Sequence, residues 1–503
     1  MKISEIKKII YKNEWYKQGG AIKPLYVSYP FYSCSEMRLW GRKIIPKYNI
    51  FAYFNDDFME DYISCESLKK VAEFYYKKQL KNKDFINKFS IFWHENFVAF
   101  YLKEVKFIMQ SDLRNYSNEE LLILFEKFTR LYLGVWQEVI FLDGFDYYGG
   151  FILSNILDDA KKNISPEDLE LLLTPPQPSL LQQERLGILN IADQARRKKI
   201  PKIKNYKKII STYPWLDKKL NNHSAQYYWL HNDFASIEYL GPDFFYSSVL
   251  QLLSDSKKYK EEQKMKKFLN TLNFKKSLII KKYKLSPKTV NLLQFLSILG
   301  NLRDERKSYN QMAGNVIRKM AEEFSRRTGI KIYLIENFYH WEIKNIFTAR
   351  RPKLEILKNR MDRNFNYLLA PTETASFVGK QGKQLNDFIK KITTKNSSLE
   401  GMPAFKGIVQ GKVKIVKDKK DFHKMKKGDI LIAPNTRPEF LPVMKIAGAI
   451  ITEEGGITCH AAIVSRELKI PAVVGVQGII AVLKDNNLIE VDAEKGVVKI
   501  LKK

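Results

Sequence analysis

The chain has 503 residues, 45% of them hydrophobic and 13% aromatic, enough to bury a large core in roughly two to four domains. Its formal net charge is +30, but lysine is spread along the whole chain with Asn, Ile and Tyr. The basic tracts at 196–208 and 257–284 come without a nucleic-acid-binding motif, so no nucleic-acid partner is expected. No apolar run approaches a membrane span, and MKISEIKKII lacks a signal-peptide core, which predicts a cytoplasmic protein without a membrane partner. Cys34, Cys65 and Cys459 are scattered without a CxxC spacing, so reduced thiols are expected, with neither a disulfide framework nor a metal cluster.

In chain order, the first ~60 residues give no periodic reading, because Gly19-Gly20 and several prolines punctuate short aromatic segments. Helical patterns then dominate, with apolar periodicity at 84–110, 118–141, 179–197, 243–253, 287–301 and 308–328. Ser117 followed by Glu120 predicts a capping box, and Ser165-Pro166-Glu167-Asp168 supplies a cap, a proline at the first helical position and acids in the first turn. Residues 1–392 therefore read as a mostly helical region.

A small, polar stretch at 393–402 (TTKNSSLEGM) reads as a linker. Beyond it, short β-rich runs at 407–416, 429–434, 449–454, 472–476, 488–493 and 497–501 alternate with helical stretches at about 438–446 and 459–468. Residues 403–503 thus predict a compact α/β domain of ordinary size, and the chain as a whole is multidomain.

Within that domain, EEGGITCHAAIVSREL (453–468) places His460 behind Gly455-Gly456 at the opening of a helix. Unpaired N–H groups and the positive helix end there favour an anion over a cation, which lowers the imidazole pKa and keeps a ring nitrogen nucleophilic. The same groups stabilise a phosphate on that ring. An arbitrary histidine at a helix start more often packs or caps than reacts, so the surrounding residues decide.

Those residues are Gly455, Gly456, Thr458, His460, Ala461, Arg466, Glu467, Leu468, Ile470, Pro471, Val473, Val474 and Gly475, preceded by GDILIAPNTRPEFLPVMKIAGAIIT. In this pattern 403–503 resembles the swivelling phosphohistidine (mobile) domain of phosphoenolpyruvate-utilising enzymes, as in phosphoenolpyruvate synthase, pyruvate phosphate dikinase and rifampicin phosphotransferase. The resemblance implies that His460 is the phosphorylated, catalytic residue, with Gly455, Gly456 and Thr458 supporting the phosphate turn. Thr458 matches a threonine that in some relatives is reversibly phosphorylated as a regulatory switch, and it equally suits a helix cap. Arg466 is expected to pair with Glu453, Glu454 or Glu467, and Cys459 to be a small buried filler.

Relatives with this domain also carry an ATP-grasp domain, and some a C-terminal barrel. Neither is expected here, since residues 1–400 show no phosphate-cradling glycine loop and the sequence ends shortly after the mobile domain. The resemblance therefore implies ATP and Mg²⁺ bound mainly by a separate ATP-grasp partner, with ATP or phosphoenolpyruvate as donor. The segments 173–199, 227–250 and 299–324 resemble those preceding the mobile domain in rifampicin-phosphotransferase-like split proteins, which implies a small-molecule acceptor in the helical region.

Weak candidates for that region are WHEN (93–96), DGFDYYGG (143–150), WLHND (229–233) and RDER (303–306), which concentrate groups able to bind polar and aromatic ligands. Each has a plain structural alternative: Trp93 and Trp229 as core aromatics, His94 and His231 as satisfied histidines, and Arg303, Asp304 and Glu305 as a solvated charge run. The chain as a whole reads as a phosphotransferase subunit, the alternative being a regulatory or scaffold protein that uses the mobile domain as a binding module.

Overall fold

The structure is a computed structural model that describes residues 3–502, apart from 13, 22, 45–47, 56–57, 161–163, 233–236, 362–363, 369–373, 378, 396–398, 418, 437–439, 456–458 and 477. The N-terminal part is largely helical, as the periodicity predicts. Ser117 and Glu120 form the expected capping box on helix Asn118–Val139, and Ser165 caps Pro166–Leu173. One difference concerns 287–301 and 308–328, which are one continuous helix, Pro287–Thr328, capped by Ser286 and ended on Gly329 with φ of 68°. The charged stretch between them does not break it, because Arg303 and Arg306 are paired with acids of the helix Leu142–Ala160. Residues 84–110 are likewise continuous, with a π-helical turn at His94–Val98.

The larger correction is a five-stranded antiparallel sheet inside the region expected to be mostly α. Strands β1 (Trp15–Ala21), β2 (Ile50–Asn55), β3 (Phe58–Ser64), β4 (Asn364–Leu368) and β5 (Thr374–Phe377) run in the order β1-β3-β2-β4-β5. Gly19-Gly20, read as punctuation, lies within β1 opposite Glu60 and Met59. One sheet face, with Tyr16, Ile50, Ala52 and Ile63, packs into the main helical core. The other, with Trp15, Phe51 and Tyr62, is covered by helices Ile3–Lys12 and Gly379–Lys395 through Ile6, Ile10, Leu385 and Ile389.

The C-terminal domain contains β6 (Met402–Phe405), β7 (Ile408–Ile415), β8 (Ile430–Ala433), β9 (Ala449–Thr452), β10 (Ala472–Val474), β11 (Leu488–Asp492) and β12 (Val497–Lys502). They form one sheet in the order β12-β11-β7-β8-β9-β10-β6. The central four pair in parallel, and β8, β9 and β10 are buried along their whole length, which explains their unbroken apolar runs. Strand β6 was not expected from the sequence. The stretch read as linker is also partly structured: the helix runs to Lys395, and Glu400 bridges Val497, leaving 396–398 outside the described residues.

Candidate functional site

Strand β9 delivers the turn. Beyond it, the Glu453 N–H donates to the Ala433 carbonyl at 3.1 Å and the Glu454 N–H to that of Pro434 at 2.9 Å, while the Thr452 hydroxyl donates to the Glu454 carbonyl at 2.7 Å. Gly455 has φ of 103°, and a Cβ there would lie 2.8 Å from Cys459 Sγ, so both backbone and space demand glycine. Cys459, in extended conformation, is the N-cap of helix His460–Leu468. His460 is thus the first residue of that helix; only its backbone is described, and Gly456 and Thr458 lie outside the described residues. Ala461 and Ala462 are buried and let the helix approach the sheet closely.

The turn is seated on the N-terminal part. The Gly455 N–H points to the Tyr16 hydroxyl at 3.5 Å, a long hydrogen bond at the edge of the usual range. Glu454 accepts from Asn435 at 2.9 Å, and its carboxyl is pushed up to about 8, mainly by burial and in part by the nearby Asp61 and Glu453. Lys17, paired with Glu60 at 2.9 Å, lies in the fields of Glu453 and Glu454. Arg303 is held by Asp146 and reaches electrostatically to Cys459, next to His460. Alongside, a Cβ on Gly150 would sit 2.8 Å from Met402 Sδ, so this glycine gives β6 room to settle on the helical part.

The structure brings two of the sequence candidates together. From DGFDYYGG and RDER it pairs Asp143 with Arg306 at 2.7 Å and Asp146 with Arg303, and the Arg306 guanidinium lies 4.9 Å above the Trp136 ring. Asp143 is raised by burial against the lowering field of Arg306. These residues are therefore no solvated charge run. Other candidates take their structural alternatives: Trp93 and Trp229 are buried in the core, and the His231 ring meets Phe244 edge-on. His94 is bound at both nitrogens, to Glu305 at 2.7 Å and to the Ser90 carbonyl at 2.7 Å. Arg466, expected to meet glutamates of its own domain, donates to the Ala404 carbonyl at 3.1 Å and lies in the field of Glu170.

Sequence reasoning missed Tyr16, Lys17 and Asp61. The available sign was local: two aromatic-rich runs, Ile50–Asn55 and Phe58–Ser64, separated by Asp56-Asp57, form a hairpin pattern, and the pairing of Asn55 with Phe58 agrees with it. Among the described residues no group of three His, Cys, Asp or Glu side chains is placed to hold a metal ion, and no helix is long and apolar enough to cross a membrane.

Strand β9 of this mixed sheet thus leads through Gly455 to a helix whose first residue is His460. Residues 425–496 match the family of the PEP-utilising enzyme mobile domain, and this part of the chain belongs to it. The probable phosphoenolpyruvate synthase of Archaeoglobus fulgidus is 46% identical over 121 residues, covering 24% of this chain and 16% of that protein. The phosphoenolpyruvate synthase of Aeropyrum pernix is 48% identical over 101 residues, 20% of this chain and 12% of that protein. The similarity thus spans a sixth or less of these relatives' length. Among solved structures, aconitase X of Thermococcus kodakaraensis is 22% identical, covering 21% of this chain and 98% of that one, with a TM-score of 0.17.

Proposed function

We propose that the chain is a phosphotransferase that carries a phosphoryl group on His460 from ATP, or phosphoenolpyruvate, on a separate ATP-grasp partner to a small-molecule acceptor in the N-terminal part. The observation that supports this reading is the seating of the segment before His460 on the N-terminal part, with Tyr16, Asp61, Asp146 and Arg303 close to it. In the first half-reaction a ring nitrogen of His460 forms the N–P bond as the donor's P–O bond breaks. In the second, an acceptor oxygen attacks phosphorus and the N–P electron pair returns to the ring.

The helix start at His460 favours the neutral ring before loading and the phosphate after it. In this reading Arg303, whose field reaches Cys459, supplies positive charge to the phosphoryl group. Mg²⁺, when present, neutralises phosphate charge at the donor site. We assign it, with the nucleotide, to the partner, as the resemblance implies. Because the segment before His460 is seated on the N-terminal part, loading requires the domain to leave it, with the stretch 393–402 read as the linker.

The test is labelling with β- and γ-labelled ATP, Mg²⁺ and a candidate ATP-grasp partner. The account expects a label stable to alkali and lost in mild acid, absent from His460→Ala, and weak without the partner. Labelling that persists in His460→Ala would reject the reading in favour of a capping histidine.

A further inference from the structure

We propose that Tyr16 is a positioning residue for the carrier: its hydroxyl holds the turn before His460 through the Gly455 N–H, which fixes the seated pose of the domain and sets how readily it leaves. The inference rests on the reading of His460 as the phosphoryl carrier.

Three consecutive amides of the segment differ in where their partners lie. The N–H groups of Glu453 and Glu454 donate to carbonyls of their own domain, those of Ala433 and Pro434. The next amide, that of Gly455, has its partner among the described residues in the other part of the chain, the Tyr16 hydroxyl at 3.5 Å. A long hydrogen bond is a weak one, which suits a contact that breaks each time the domain departs and leaves the amide to water. Gly455 passes the contact on. A Cβ on it would lie 2.8 Å from Cys459 Sγ, and Cys459 is the N-cap residue directly before His460. Tyr16 thus reaches the helix start through two residues in close contact.

Tyr16 is itself firmly held. It pairs with Ile63 between β1 and β3, it is only 5% exposed, and its ring meets that of Tyr147, on the helix Leu142–Ala160, at 5.5 Å between centroids. The same helix carries Asp146, which holds Arg303, and Gly150, which gives Met402 room. Burial, helped by the fields of Glu454 and Asp146, holds the phenol well above its ordinary value, so the hydroxyl keeps its proton at neutral pH. The adjacent Lys17 is paired with Glu60 at 2.9 Å, an interaction that loss of the Tyr16 hydroxyl leaves in place. Removing that hydroxyl therefore loosens the seat without dismantling it.

The full chain, made with isotope-labelled glycine, is followed by exchange of the Gly455 amide with solvent and by the rate at which labelled phosphoramidate, a small donor that needs no partner, loads His460. Tyr16→Phe removes the hydroxyl and keeps the ring. It should melt like the parent, yet exchange the Gly455 amide and load His460 each about 3-fold faster, the scale of one weak hydrogen bond. A faster step is what a loosened seat produces and a damaged fold does not. Tyr16→Leu, which also lacks the hydroxyl, should move both rates the same way. Tyr147→Phe, whose lost hydroxyl bonds the Cys65 thiol instead, should leave both at the parental level. Parental Gly455 exchange in Tyr16→Phe, or loading that is unchanged or slower, overturns the proposal. Failure of the unaltered chain to take label at His460 strikes the carrier reading instead, and the exchange rates still decide whether Tyr16 holds the turn.

Discussion

On the C-terminal side of the interface, the groups in question lie within Glu453–His460, a single segment hung between the end of β9 and a helix start. On the other side, Tyr16 and Asp61 come from a sheet, Asp143 and Asp146 from one helix, and Arg303 and Arg306 from another. The first arrangement can travel as a unit without losing its geometry. The second exists only when chain from residue 16 to 306 is folded together. Under the proposed function, a carrier that visits two places needs local construction, and an acceptor site is fixed by distant elements held rigidly.

The contrast predicts that damage on the carrier side stops both half-reactions and damage on the N-terminal side only the second. His460→Ala should abolish loading and transfer with little change in melting temperature, since the residue is the first of its helix. Arg303→Met should load normally, yet transfer about 10- to 100-fold more slowly under the proposed function, because it removes a positive charge whose field reaches Cys459; measuring loading and discharge separately checks this. Gly150→Leu should raise the helix propensity of Leu142–Ala160 by up to about 1 kcal/mol while hindering Met402, so stability and seating move in opposite directions. Calorimetry and small-angle scattering read the two effects.

The smallest effect concerns pH. Glu454 is raised from 4.5 to about 8, so the seated form holds a proton that the exposed turn releases. A raised carboxyl is without penalty below its ordinary value, so seating should weaken as pH rises from about 4.5 and level off above about 8. Interdomain fluorescence transfer should show this trend, shallower in Glu454→Gln.

The same contrast explains what the sequence made legible. The carrier turn is contiguous, and its glycines, helix start and buried strands each leave a local pattern. The N-terminal side of the interface is not contiguous. β2 pairs with β4 more than 300 residues away, at Ile50 with Leu368, and no local periodicity announces such a partner. RDER reads as a surface run because the acids that neutralise it, Asp143 and Asp146, lie on another helix. Tyr16 and Asp61 sit in strands whose aromatic residues are apolar on both faces, since helices cover both sides of the sheet, and this hides their alternation.

The central claim, that the domain must leave its seat on the N-terminal part to be loaded, is tested most directly by locking it there. Gly150→Cys with Met402→Cys places two thiols where a Cβ on residue 150 already meets Met402 Sδ at 2.8 Å. Oxidised, this double variant should not be labelled at His460 by the ATP-grasp partner and ATP, and reduction should restore labelling to the parental rate. Equal labelling of the oxidised and reduced forms would contradict the account.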